Sequence, residues 1–308
     1  MFSIIICTYN RDKYIYEALR SLAENRFPVD EYEIVLVNNN STDNTEKECN
    51  RFHNDYKNID FKYFVEKEQG LSFARNRGIK ESDRDFLVFL DDDAFVSEDY
   101  LQKLKEYLHL YPNLKAFGGR IIPLFETKKV PVWYSVWSSS FVSSLDKGNK
   151  VREFSGKSFP IGANMGFYKS CLEYTGVFDS SLGRCGQNLI GGEEKDLFQR
   201  FRKKNYKIYY LPETEVRHVI PENRTTYDYI RKLGEGVGIS ESIRCKNIGF
   251  FFLAGRYLSE IFKWGVSLIL WIWYAIQGKF PKGYALLLFR WYVTKGLLKG
   301  YKPSRVAS

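Results

Sequence analysis

The chain has 308 residues, enough for one large domain or two smaller ones, and its 44% apolar and 27% charged content is ordinary for a folded soluble protein. The net charge of +9 belongs to the end of the chain. Residues 244–308 hold eleven Lys/Arg against one acid, Glu260, leaving 35 basic and 36 acidic side chains for the first 243, so the charge does not argue for a nucleic-acid-binding catalytic domain.

Five scattered cysteines (Cys7, Cys49, Cys171, Cys185 and Cys245) without a CxxC argue against a disulfide framework or a zinc site. Free thiols in a reducing compartment are expected, Cys185 among them. No signal peptide is expected at Phe2–Cys7, which is short and lacks a basic flank.

Phe2–Cys7 reads as a buried strand, and Thr8-Tyr9-Asn10-Arg11 as the loop after it. A helix follows from about Lys13 to Ala23, with Ile15, Ala18, Leu19 and Leu22 on one face. Glu33–Val37 is a second strand, ending in the polar loop Asn38-Asn39-Asn40-Ser41-Thr42-Asp43. Strand, helix and strand at this spacing predict a βαβ unit and hence a parallel sheet. A third strand is expected at Phe61–Val65, followed by Gln69-Gly70-Leu71-Ser72 and a helical segment containing Arg75. A fourth strand ends at Asp91. No GxGxxG follows the first strand and no GxxxxGK[ST] occurs, which disfavours a Rossmann dinucleotide site and a P-loop. The loop at Thr8 and Tyr9 is better suited to a base and a ribose.

The fourth strand carries the densest chemical signal. Five apolar residues lead without a spacer into Asp91-Asp92-Asp93. Ligands sit at the carboxyl ends of strands in open α/β sheets, and three adjacent carboxylates repel one another unless a cation neutralises them. Hard oxygen ligands at this spacing suit Mg²⁺ or Mn²⁺, usually shared with phosphate oxygens. The alternative is a solvated acidic turn before a helix starting near Ser97.

Beyond Pro112 a short strand is expected at Phe117–Pro123, then an irregular Trp- and Ser-rich segment over 128–157, and another strand over Pro160–Phe167. Residues 178–192 are glycine-rich and polar, long enough for a mobile loop over a site. They deliver Glu193-Glu194 to the start of a helix through Phe198 and Phe201. A last core strand is expected over Ile208–Leu211, before Glu215-Val216-Arg217-His218. In the tail, Trp264–Ile276 is an uncharged run too short for a span, and a second apolar run covers Tyr284–Phe289. Abundant Trp and Tyr with flanking lysines suit a helical hairpin in the headgroup region of an anionic leaflet. A buried helix pair, an oligomer interface and a single span are the alternatives.

Taken together, Thr8-Tyr9-Asn10-Arg11, Val37–Asp43, Gly70-Leu71-Ser72 with Ala74-Arg75-Asn76, Leu90–Asp93, Gly162-Ala163-Asn164, Gly192-Glu193-Glu194 and Val216-Arg217-His218 resemble the family 2 glycosyltransferases in order and spacing over about 220 residues. The resemblance implies an inverting, nucleotide-sugar-dependent enzyme of GT-A fold, an α/β class with a mixed, mainly parallel sheet flanked by helices. A catalytic domain would cover 1–225, with a nucleotide-sugar-binding half at 1–95 and an acceptor half at 96–225, before a helical membrane-associating region at 226–308. The DxD motif would be Asp91–Asp93, with Asp93 and Asp91 as ligands of Mn²⁺ or Mg²⁺ and His218 completing the shell. Thr8, Tyr9, Arg11, Asn38, Asn39, Arg75, Asp91 and Asp92 would bind the nucleotide-sugar.

The acid pair would hold the catalytic base, taken as Glu194, with Glu193 orienting the acceptor; the alternative is that both only complement the helix dipole. Two departures from the family pattern stand out. Asn38 replaces the usual Asp, which leaves the base open, and Glu193-Glu194 replaces Glu-Asp, which moves the acceptor hydroxyl by about one methylene. The partners implied are a nucleotide-sugar, a glycan acceptor that is lipid-linked, and an anionic membrane on its cytoplasmic face, without nucleic acid. A sugar nucleotidyltransferase is the rival enzyme, though it would be expected to show GxGxR after strand one. A non-catalytic sugar- or nucleotide-binding protein is the rival of another class.

Overall fold

A computed structural model of the chain describes residues 1–156, 158–184 and 191–300, with the backbone alone at 246–248 and 250. Cys185 and part of the glycine-rich loop lie outside the described residues. The chain divides into two compact units. The first comprises Met1–Leu124, Ser143–Gly186 and Glu193–Val219; the second comprises Phe125–Val142, Gln187–Gly192 and Ile220–Ser308.

The first unit is a mixed sheet between two layers of helices. Its strands are β1 (Phe2–Thr8), β2 (Tyr32–Asn38), β3 (Phe61–Val65), β4 (Phe86–Asp91), β5 (Ala94–Val96), β6 (Leu114–Phe125), β7 (Arg152–Glu153), β8 (Asn164–Tyr168) and β9 (Lys207–Ile220). The order is β3-β2-β1-β4-β8-β6-β9-β5, with β7 also on β9. Strands β3, β2, β1 and β4 run parallel, and β8 reverses the direction. Successive residues of a buried strand face opposite layers, which is why β1, β2 and β4 read as continuous apolar runs. Phe2, Ile4 and Ile6 join one core with Ile15, Leu19, Phe52 and Leu104, beneath α1 (Asp12–Ala23), α2 (Thr45–Asp55) and α4 (Tyr100–Leu110). Ile5 joins the other with Ala74, Leu172, Phe198 and Phe201, beneath α3 (Leu71–Glu81), α5 (Leu172–Thr175) and α6 (Glu193–Lys203).

Several boundaries differ from the sequence reading, among them β6, which runs over Leu114–Phe125 where a short strand at Phe117–Pro123 is expected. The last core strand is β9, fourteen residues long, rather than Ile208–Leu211 alone. The strand expected from Pro160 begins only at Asn164. The helix expected near Ser97 begins at Tyr100, because the short strand β5 intervenes.

The second unit contains α7 (Tyr227–Ile248), α8 (Phe250–Ile276) and α9 (Phe280–Lys299). Ala285, Leu286, Phe289, Val293 and Leu297 of α9 pack with Phe125, Trp133, Phe141 and Ile230 in a third core. Gly238 of α7 and Gly296 of α9 let these helices touch backbone to backbone, since a Cβ on Gly238 would lie 2.2 Å from the Val293 carbonyl oxygen. Among the described residues, no helix is long and apolar enough to cross a membrane.

Candidate active site

The parallel strands end on one edge. In register, Thr8 lies opposite Asn38 and Cys7 opposite Asp91, so the loops after β1, β2 and β4 converge where ligands bind in such sheets. From Asp91 the chain turns at once into β5, which pairs antiparallel with the far end of β9 and sets Ala94 opposite His218. The Val219 amide donates to the Asp93 carbonyl at 2.8 Å and closes the join. His218 is thereby laid against the acids, with Nε2 3.0 Å from Asp93 Oδ1 and 3.7 Å from Asp91 Oδ2.

His218 and Asp93 are almost fully buried, whereas the Asp91 side chain is 35% exposed, which leaves one open approach. Neither ring nitrogen of His218 has an aligned hydrogen-bond partner. One ligand atom from each of the three residues falls within 4.8 Å of the others. A buried imidazole without a hydrogen bond, pressed against crowded carboxylates, is what a divalent-cation donor set requires. Two carboxylates with one imidazole fit Mn²⁺ and, less closely, Mg²⁺. Burial, and then the charge of Asp93, push the Asp92 carboxyl up to about 7 against the pull of Arg11. The Arg11 guanidinium lies 3.5 Å from Asp92 and 3.8 Å from Asp93.

The second acid cluster is held from α3. Arg75 is buried and forks onto both carboxylates at the start of α6, with Nη1 2.9 Å from Glu193 Oε1 and Nη2 3.2 Å from Glu194 Oε1. Burial works against both charges, yet Arg75 holds Glu194 below the usual carboxylate range. Glu193 is pushed the other way by its own burial and by Glu194 beside it. Glu194 is also the more open of the two, 17% exposed against 2%. Gly162 makes room for the guanidinium: a Cβ there would lie 2.0 Å from Arg75 Nη2 and 2.5 Å from Glu194 Oε1.

The asparagine loop is built differently from a free binding surface. Asn38 donates to Tyr63 Oη at 2.8 Å and accepts from the Ser41 amide at 2.9 Å. Asn39 donates to the Glu66 and Glu68 carbonyls and accepts from the Gly70 amide. Both amides are therefore committed to shaping loops. Tyr9 is exposed beside them and Thr8 is buried. Asn10 takes a left-handed conformation, φ 54°, and accepts from the Thr42 amide, tying the first loop to the second.

The sequence profile of Glycosyl transferase family 2 matches residues 3–175, more than half of the chain. The chain belongs to glycosyl transferase family 2. The matched stretch ends before α6, so Glu193, Glu194 and His218 lie outside it.

This family 2 chain is 25% identical over 239 residues to a glucosyl-dolichyl phosphate glucuronosyltransferase of Haloferax volcanii, covering 74% of this chain and 72% of the relative. It is 29% identical over 150 residues to the poly(ribitol-phosphate) beta-N-acetylglucosaminyltransferase TarS of Staphylococcus aureus, covering 47% of this chain and only 26% of that longer protein. Among solved structures, the mannosyltransferase PcManGT of Pyrobaculum calidifontis, in complex with GDP-Man and Mn²⁺, superposes with a TM-score of 0.64 at 16% identity. That match covers 97% of this chain and 87% of the mannosyltransferase. The fold is thus GT-A, the α/β class that the motif order implies.

Two residues of the Gly162-Ala163-Asn164 motif acquire distinct roles. Gly162 clears space for Arg75. Asn164 is fully buried and ties three elements together, donating to the Arg120 and Thr214 carbonyls and accepting from Tyr100 Oη at 2.6 Å. Sequence reading missed both roles, and the only signal was the clustering of small residues before β8.

Proposed function

We propose that the chain moves a sugar, with inversion, from a nucleoside-diphosphate sugar to a hydroxyl of a lipid-linked glycan acceptor in cell-surface polysaccharide synthesis. It works with Mn²⁺ or Mg²⁺ at the cytoplasmic face of an anionic membrane. The observation that carries this reading is the presence of two acid clusters of different build: an Asp91–Asp93–His218 group at the end of β4, and a Glu193–Glu194 pair opening α6 and held by Arg75.

Asp91, Asp93 and His218 would hold the ion. When bound, the cation neutralises charge on the departing diphosphate. Thr8, Tyr9 and Arg11, with the loops shaped by Asn38 and Asn39, bind the nucleoside, and Asp92 beside Arg11 faces the same edge. Glu194 is the general base. It is ionised, partly open and fixed in direction by Arg75, so it takes the acceptor hydroxyl's proton as that oxygen attacks the anomeric carbon from the face opposite the leaving group. Glu193 orients the acceptor by hydrogen bonding. Arg75 is a positioning residue in this scheme, since both terminal nitrogens already meet carboxylates.

The dolichyl-linked substrates in the names of relatives from Haloferax volcanii and Methanococcus voltae support a lipid-linked acceptor. Support for a membrane surface comes from α8, whose outward residues include exposed Ile261, Phe262, Ile269 and Trp273, and from the basic tail.

A screen of nucleotide-sugars for Mn²⁺-dependent thermal stabilisation, followed by product analysis on the best donor, tests the reading. Release of a nucleoside diphosphate with sugar on an added acceptor is expected. Consumption of pyrophosphate with formation of a nucleoside triphosphate would identify a nucleotidyltransferase instead. Stabilisation without turnover by any donor and acceptor would point to a binding protein.

A further inference from the structure

Helix α8 is turned inside out relative to a helix of a soluble protein. Leu258, Ile261, Phe262, Leu268, Ile269 and Ile272 are exposed. Its charges lie on the other side. Arg256, Glu260, Lys263 and Ser267 follow one another at helical spacing along a single stripe, and Arg256, Glu260 and Ser267 are buried.

That stripe meets charges from both neighbouring helices. Arg256 Nη1 lies 2.7 Å from Glu260 Oε2, and its Nε lies 3.3 Å from Glu241 Oε2 of α7. Arg290 of α9 reaches Glu260 Oε1 at 3.0 Å, and Arg244 reaches Glu241 at 3.0 Å. Four cationic side chains thus gather around two carboxylates. After Glu241 the sequence contains no acid other than Glu260.

Ion pairs account for the three arginines: Arg256 and Arg290 bridge between helices, and Arg244 bridges to Glu241 within α7. They leave Lys263 unexplained. Lys263 is half-buried, makes no ion pair among the described residues, and has its pKa lowered to about 8 by burial first and then by the like charges of Arg256 and Arg290. An uncompensated cation in such a seam destabilises the fold unless an anion joins it.

We propose that Lys263, Arg256 and Arg290 form an anion site at the seam of α7, α8 and α9 that takes a phosphate or diphosphate group. Guanidinium forks suit phosphate oxygens in pairs, and an ammonium adds a point charge. Assigning the group to a lipid rests on the membrane reading above, whereas the anion site does not.

The test uses the full chain, its Lys263→Gln variant, and Lys279→Gln as a control for a charge lost at the exposed end of the hairpin. In EDTA buffer of constant ionic strength, sodium pyrophosphate replacing chloride should raise the melting temperature of the wild type and of Lys279→Gln. Lys263→Gln should melt higher than wild type in chloride alone, because a repulsion is removed, and gain little from pyrophosphate. In a second arm, phosphatidylcholine vesicles doped with phosphatidic acid should float the wild type, while Lys263→Gln binds roughly fivefold more weakly, the equivalent of about 1 kcal/mol per cation.

Equal behaviour of the two variants in both arms overturns the site, as does equal stabilisation by chloride. A Lys263-dependent response to pyrophosphate without a difference on vesicles keeps the anion site and overturns its lipid source. Failure of every variant to float on any vesicle removes the membrane reading, and the pyrophosphate arm still decides the site.

Discussion

Arg75 and Glu193 stand 118 positions apart in the sequence, yet meet at 2.9 Å with both side chains closed to water. A buried pair of this kind is intolerant of losing one partner, because the other is left charged and desolvated. Arg75→Met should therefore destabilise the fold by about 3–5 kcal/mol in urea unfolding. Arg75→Lys keeps the charge but has no fork, and should lose most transfer activity while recovering part of the stability. Full activity in Arg75→Lys would show that the two-pronged contact is unimportant.

The two glutamates are separable by pH. Glu194→Gln should keep donor binding and lose transfer by about 10²-fold or more, because the amide cannot accept the proton. Arg75 holds Glu194 below the usual range, so with Glu194 as base the acid limb of kcat/KM falls below the ordinary carboxylate range. Burial pushes Glu193 the opposite way, and if it were the base the rate would decline as pH drops through neutrality. A pH–rate profile of the wild type decides between them.

The acids after β4 carry an opposite pair of signatures. Asp93→Asn should abolish Mn²⁺-dependent donor binding in calorimetry, yet raise the melting temperature in EDTA by relieving repulsion with Asp92. In EDTA the wild type should also lose stability as pH rises. Asp92 titrates near 7 when folded and near 4 when unfolded, so the proton that favours the folded state is held below the lower value and surrendered through the higher one. Melts at pH 5 and pH 8 measure this. A melting temperature that climbs over that interval would contradict it.

How far the sequence revealed this arrangement varies from element to element. Ile15, Ala18, Leu19 and Leu22 are the buried face of α1, as their spacing predicts, because one amphipathic helix on a sheet needs only local pattern. β9 was legible only in its first third, since Pro212 and the partly or fully exposed Glu213 and Glu215 break the apolar run that marks a buried strand. β5 has three residues and no pattern of its own; it exists because β9 pairs with it. The fork of Arg75, the clearance at Gly162 and the staple at Asn164 all depend on contacts between distant segments, which no local pattern encodes. The amides of Asn38 and Asn39 show the limit from the other side. Their polarity signals a site, but their hydrogen bonds go to the loops that frame it.

The exposed face of α8 yields a last prediction. Removing the tail near Ser242 would also remove Phe289, Val293 and Leu297 from the third core, so truncation mixes unfolding with loss of binding. Ile269→Glu and Trp273→Glu change only exposed positions. Each should leave the melting temperature nearly unchanged and lower flotation on anionic vesicles. High salt should release much of the wild type if it lies on the surface. Normal flotation of both variants would instead favour the use of this face between two copies of the chain.

The alternation of side chains along β9 has a bearing on how the protein can fail. His218 points to the acids and the neighbouring Arg217 points to solvent, in a register fixed by Ala94, Phe95 and Val96. A slip of one residue would exchange the two. A guanidinium would then occupy the acid cluster in place of the imidazole, satisfying the carboxylates with a permanent charge borne by the chain itself. Such a molecule would look healthy by spectroscopy and by melting temperature, held as it is by its new ion pairs, while being chemically silent. Quality control of preparations of this protein is therefore better read from the cation titration than from the fold.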